Sequence, residues 1–127
     1  MPRMRVLIID EHDAVRQALQ DRLAANIDVE VVGCTACWQE GLNLAAEKKP
    51  DVILLETKRS DGQGMTALHQ LRAQFPAVCI LILTSYPEPE EREKALEGGA
   101  AGYLLKDIGS ARLLQEIRAA VLPLAPI

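Results

Sequence analysis

The 127 residues carry a formal net charge of −4 and a pI near 5.2, a balance that argues against nucleic-acid binding by this segment itself. With 49% hydrophobic and 25% charged residues, the chain fits one globular domain with a full core. No apolar run approaches the roughly 20 residues of a membrane span, and Met1-Pro-Arg-Met-Arg5 has no apolar signal core, so no membrane contact and a cytoplasmic location are expected.

Taken in order, apolar runs alternate with helical patterns. Arg5-Val-Leu-Ile-Ile9 reads as a buried strand emptying into Asp10-Glu11. Val15, Leu19 and Leu23 then form an i, i+4, i+8 stripe behind Asp13, a candidate N-cap. Val29-Glu-Val-Val-Gly33 carries a charge in its middle and reads as an edge strand. Trp38, Gly41, Leu42 and Ala45 line a second helix that must stop before Pro50. Asp51-Val-Ile-Leu-Leu-Glu56 is the third strand. Met65, Leu68, Leu71 and Phe75 line the third helix, closed by Pro76. Val78 to Leu83 is the fourth strand and runs into Thr84. The fourth helical pattern, Glu88 to Glu97, has only Ala95 and Leu96 as clearly apolar residues, so packing holds it weakly and it is the element expected to move. Gly102-Tyr-Leu-Leu105 empties into Lys106, and Ser110 is placed to cap a fifth helix buried through Leu113, Leu114, Ile117 and Val121. Residues 1–121 are read as one domain. The Pro-punctuated tail, residues 122–127, reads as the start of a linker or a C-terminal tail.

Five strands alternating with five helices imply an α/β parallel sheet covered on both faces. The polar ends of the strands then converge on its carboxyl edge, where open α/β folds place their ligand sites. Asp10, Glu11 and Glu56 would repel one another there, and an oxygen-preferring divalent cation such as Mg2+ is their natural counter-ion. Thr84 and Lys106 could serve phosphoryl oxygens. The chemistry expected of this edge is phosphate with Mg2+.

Other motifs give less. Cys34 and Cys37 make a C-x-x-C that fits a thiol redox pair or half a zinc site, but no second pair completes a zinc set and packing is the favoured reading. Cys37 alone could sit exposed at a helix N-terminus. His12 is expected on the first turn of its helix, hydrogen-bonded to Glu11, and His69 exposed, neither with a partner at metal spacing. Asp10-Glu-His-Asp13 is not the D-x-D of aspartate-nucleophile phosphatases. No phosphate-binding G-x-x-x-x-G-K-[ST] or G-x-G-x-x-G loop exists.

Ile8-Ile-Asp-Glu-His12, Asp51-Val-Ile-Leu-Leu55, Leu83-Thr-Ser85 and Gly102-Tyr-Leu-Leu-Lys-Asp107 together resemble the receiver domain of two-component response regulators, from Arg5 to about Val121. The Leu105-Lys106-Asp107 ending is most similar to regulators with a LuxR-type helix-turn-helix output, the nitrate-regulator type. The resemblance implies a flavodoxin-like fold with strand order 2-1-3-4-5 and a signalling role, not an enzyme. A histidine kinase would pass a phosphoryl group to an aspartate ending the third strand. By the same resemblance Asp10 and Glu11 are metal-site acids, Thr84 the switch hydroxyl, Tyr103 the switch aromatic and Lys106 the phosphate-binding lysine. Lys58 would give a backbone carbonyl to Mg2+, and Gly64 would open the third helix. Also implied are a homodimer, through the face of the fourth helix, fifth strand and fifth helix or through the first and fifth helices, and a DNA-binding output domain in a longer chain.

The departure is Glu56, at the phosphoacceptor position. Its carboxylate sits one methylene further out, and a displacement of about 1 Å can cost in-line transfer roughly 10²-fold. The longer arm should instead pair with Lys106. The following loop, Thr57-Lys-Arg-Ser60, is unusually basic, with Ser60 where the family commonly has proline, and the Lys58 side chain is a candidate to neutralise the acids. An atypical receiver that bypasses ordinary phosphorelay is therefore expected. The alternatives are a working receiver phosphorylated on Glu56 or on Asp61, and a thiol switch through Cys34 and Cys37.

Overall fold

The computed structural model describes residues 3–121. Its elements run β1 (Met4–Ile9), α1 (Asp13–Ala24), β2 (Val29–Thr35), α2 (Trp38–Lys48), β3 (Val52–Glu56), α3 (Gly64–Gln74), β4 (Cys79–Thr84), α4 (Pro89–Glu97), β5 (Gly102–Leu105) and α5 (Ser110–Val121). All strand pairings are parallel and the sheet order is β2-β1-β3-β4-β5, the flavodoxin-like order expected. The tail read as a linker, residues 122–127, lies outside the described residues.

Period-2 alternation sorts the apolar strands between the two faces. Leu7, Ile9, Ile53, Leu55, Ile80 and Ile82 face α2, α3 and α4, packing with Trp38, Ala45, Leu68, Leu71 and Ala95. Val6, Ile8, Val52, Leu54, Leu81 and Leu83 face α1 and α5, packing with Leu19, Leu23, Leu113 and Ile117. Both faces of β1, β3 and β4 are thereby dry, which is why those strands show no polar alternation. The expected helix stripes face the sheet, with Leu19, Leu23, Trp38, Leu68, Leu71, Leu113 and Ile117 buried and Val15, Leu42, Met65, Phe75 and Val121 partly so. In α4 only Ala95 is buried.

Several boundaries differ from expectation, each for a local reason. β2 continues past Gly33 to Thr35, because the register slips between Val6 and Leu7 and pairing resumes beyond Val32. Asp51 lies outside β3, where its carboxylate accepts the Arg5 N–H at 2.9 Å. The N-cap of α1 is His12, in extended conformation; Asp13 is the first helical residue and pairs with Arg16. Ser110 likewise sits inside α5, its hydroxyl accepting from Arg22 Nε at 2.9 Å. Gly64 opens α3 because a Cβ there would lie 1.8 Å from the Thr57 carbonyl oxygen. That approach fixes the chain leaving β3, and hence the loop that walls the site. Among the described residues no helix is long and apolar enough to cross a membrane.

Candidate functional site

The site forms where β1, β3, β4 and β5 end side by side. Asp10 follows β1, anchored by its N–H to the Thr35 carbonyl at 3.0 Å, and Lys106 follows β5, its N–H on the Thr84 carbonyl at 2.8 Å. Glu56 and Thr84 are the last residues of β3 and β4. Asp10, Glu56 and Thr84 are all buried, with residue exposures of 2%, 2% and 0%. Such burial of acids demands compensation.

Lys106 supplies it. Its ammonium stands 2.8 Å from Asp10 Oδ2 and pairs directly with Glu56 Oε2, the resting geometry expected from the longer glutamate arm. Burial works against the charge on Lys106, but its contacts with Asp10 and Glu56 outweigh that, and its pKa is raised above the ordinary lysine value. His12 adds a second nitrogen. Its Nδ1 lies 3.1 Å from Asp10 Oδ1 and 3.2 Å from Glu56 Oε2, and its backbone N–H donates to Asp10 Oδ1 at 2.9 Å. His12 therefore does have partners at metal spacing, contrary to expectation, and they are Asp10 and Glu56, not Glu11. The cause is the extended N-cap backbone, which swings the ring over the end of β1. His69 is exposed, as expected.

Glu11 turns the other way. Its carboxylate accepts the Ser60 N–H at 2.9 Å and the Ser60 hydroxyl at 2.8 Å, which hold its pKa below the ordinary 4.5. A depressed carboxylate favours the folded state above its unfolded pKa and loses that contribution as the pH falls through the folded one. Ser60→Ala removes the hydroxyl bond. The Glu11 pKa, followed by NMR titration, should then rise toward 4.5, with less stability lost to acid; an unmoved titration would contradict this role for Ser60.

Lys58 does not neutralise the site acids. Its ammonium pairs with Glu88 and lies 3.2 Å from Glu91 Oε2, bridging the β3–α3 loop to the start of α4. Glu91 is the centre of that bridge. Its Oε1 accepts from the Tyr103 hydroxyl at 2.8 Å and from the Thr57 hydroxyl at 3.1 Å, while the Glu88 N–H donates to the Tyr103 oxygen at 3.2 Å. Burial raises the Tyr103 pKa, against the Glu88 N–H. Thr84 Oγ1 accepts the Tyr86 N–H at 3.1 Å. Nothing in the residue pattern marks Glu91 for this role, because one more acid in a Glu-rich turn looks solvated. Asp61 takes the Gln63 N–H at 2.8 Å and Arg59 Nε at 3.2 Å, bracing the loop. The three cysteines are free; Cys37 is exposed ahead of α2, and burial pushes the Cys34 thiol up.

Glu11, His12, Glu56, Lys58, Ser60 and Tyr86 line an open pocket of about 490 Å³ over this cluster. Mg2+ demands near-octahedral oxygen ligands. The acids implied for it, Asp10, Glu11 and Glu56, are not the set the fold brings together. Glu11 is held by Ser60, Lys106 contacts the other two, and the donors that converge within 4.8 Å are Asp10, His12 and Glu56. An acidic cluster thus stands at the edge where Mg2+ was expected, with Lys106 in contact with Asp10 and Glu56.

The sequence matches the family of response regulator receiver domains over residues 6–118. It is 34% identical over 115 residues to the response regulator protein VraR of Staphylococcus aureus, covering 91% of this chain and 55% of that protein. The chain thus spans about half the length of the curated relatives it matches. Among solved structures, the receiver domain of the putative response regulator NarL from Mycobacterium tuberculosis superposes with a TM-score of 0.87 at 26% identity, covering 95% of this chain and 98% of that one. A LuxR-family two-component response regulator from Aurantimonas sp. SI85-9A1 gives 0.86 at 28% identity, covering 94% and 85%.

Proposed function

Because the chain belongs to the response regulator receiver family, we propose that it is an atypical receiver in which Glu56 replaces the phosphoacceptor aspartate and ordinary phosphotransfer is impaired or bypassed. The observation that carries this reading is the engagement of Glu56 itself. One oxygen is paired with Lys106 and sits 3.2 Å from His12 Nδ1, and the other faces the Glu11 N–H at 3.4 Å. Both oxygens of the nucleophile are thereby engaged by donors of the pocket, which holds the longer arm away from a position for in-line attack. By drawing Lys106 inward, Glu56 supplies one of the contacts a phosphoryl group would make. The mimicry is partial, since a carboxylate has neither the third oxygen nor the second charge.

In this reading Thr84 is the switch hydroxyl and Tyr103 the switch aromatic, joined to α4 through Glu91. Lys106 is the phosphate-site lysine and the Lys58 carbonyl a metal-site oxygen. Residues 1–121 form the receiver, and 122–127 begin the passage to a DNA-binding output domain, so that the whole protein regulates transcription. The LuxR-family relatives support that output. A histidine kinase is the family's usual partner. Leu96 and Leu105, 36% and 44% exposed, support pairing of two copies through α4, β5 and α5 over pairing through α1 and α5.

The test is intact mass after incubation with Mg2+ and a small phosphodonor, beside Glu56→Asp. Only the aspartate variant should gain a phosphoryl group, because the shorter arm frees both the nucleophile and Lys106. A gain in the native protein would overturn the proposal in favour of a working receiver, and mapping would then choose between Glu56 and Asp61.

A further inference from the structure

The edge of the sheet opposite the acidic site carries an apolar groove of about 400 Å³. One wall is the end of α2 and its exit, with Ala46, Lys49 and Pro50. The other is the turn after α3, with Phe75, Ala77 and Val78. Apart from Lys49, the described residues that line it are uncharged. Hydrogen bonds fix both walls. The Lys49 N–H donates to the Ala45 carbonyl at 3.1 Å, and Arg5 Nε to the Lys48 carbonyl at 3.1 Å. Across the groove the Val78 N–H donates to the Phe75 carbonyl at 3.1 Å, and Arg72 Nη1 to the Val78 carbonyl at 2.8 Å. A cleft held in this way is formed before anything enters it, so binding there loses little to ordering.

The end of α5 lies beside this groove. The Cys79 thiol donates to the Ala120 carbonyl at 2.7 Å, which sets the last turn of α5 against the residue that follows Val78. Leu122-Pro-Leu-Ala-Pro-Ile127 comes next in the sequence, apolar throughout, with two prolines and no charged side chain. Six extended residues reach about 20 Å, enough to pass under the start of β4 from the α5 face to the α3 face. Proline favours the polyproline II form, which docks into aromatic-walled grooves at low entropic cost. The short tether also holds the segment at an effective concentration in the millimolar range, so even a weak contact is filled. We propose that residues 122–127 of the same chain occupy this groove, their apolar side chains against Phe75 and Val78. The contact uses no residue of the acidic site. It moves the departure of the chain from the end of α5 to the α2–α3 side of the domain.

The test is NMR on the full chain at low concentration. Phe75 is the only phenylalanine in the sequence, so its ring protons mark the groove. Methyl groups of Leu122, Leu124 or Ile127 should show NOEs to that ring and lie upfield of their ordinary positions. In a mixture of isotope-labelled and unlabelled protein, those NOEs should run within one chain. Ala46→Glu and, separately, Ala77→Glu place a carboxylate on an exposed part of either wall. Each should abolish the NOEs and return the methyls to ordinary positions, with the amides of β1 and β3 unmoved. Methyls without NOEs to Phe75, NOEs running only between labelled and unlabelled chains, or NOEs that survive both substitutions would each overturn the proposal.

Discussion

Replacing Lys106 with methionine is expected to destabilise the fold by about 3 kcal/mol, measured as a lowered urea midpoint with unchanged slope. The methionine fills the same volume, so the loss reports charge. Without the ammonium, Asp10 and Glu56 face each other at the sheet edge, each only 2% exposed. Water entering from the open pocket sets the estimate at the lower end of the range for breaking a buried pair. Combining Lys106→Met with Glu56→Gln removes one of the two charges and should recover a large part of the loss. If the single variant is as stable as the native protein, Lys106 is not the counter-ion of this site. The native pair has its own pH signature. A lysine whose folded pKa is raised stabilises the folded state fully below its unfolded value, and that stability disappears as the pH rises through the folded one. The native protein should therefore lose more stability in strong alkali than Lys106→Met, which keeps only the contributions of the other raised groups such as Lys58.

Glu91→Ala is expected to loosen α4 and cost about 1–3 kcal/mol. The truncation strands the hydroxyls of Tyr103 and Thr57 and removes one of the two acids paired with Lys58. Because α4 buries only Ala95, these polar contacts are most of what holds its first turn. Amide exchange over residues 88–97 should accelerate while the amides of β1 and β3 stay protected. Glu91→Gln keeps an acceptor for both hydroxyls and should show a smaller change. Exchange in α4 that does not respond to Glu91→Ala would mean that packing against β5 suffices. The loop after Glu56 and the start of α4 are joined through Glu91 and through the Lys58–Glu88 pair, so a rearrangement at Glu56 has a direct mechanical route to Tyr103 and to the face expected to pair.

Much of this was legible in the residues. Uninterrupted apolar runs mark strands dry on both faces, helical stripes mark the covering helices, and each run stops at a polar residue. These are local properties, and in a parallel sheet they suffice to bring Asp10, Glu56, Thr84 and Lys106 to one edge. That Glu56 ends the third strand, with a carboxylate one methylene further out than an aspartate's, could be read from the residues alone. What the sequence could not decide is which of several nearby partners each charged side chain takes. Glu11 was expected at the metal and is held by Ser60. The Lys58 side chain, a candidate to neutralise the acids, reaches instead to Glu88 and Glu91. His12 was expected beside Glu11 and lies between Asp10 and Glu56. Except for the local His12–Asp10 contact, these outcomes turn on contacts between groups 30 to 50 residues apart in the chain. Those distances are set by sheet register, by the bulge in β2, by the N-cap backbone of α1 and by the loop seated against Gly64. Periodicity fixes which elements meet; only their packed geometry fixes which charges touch.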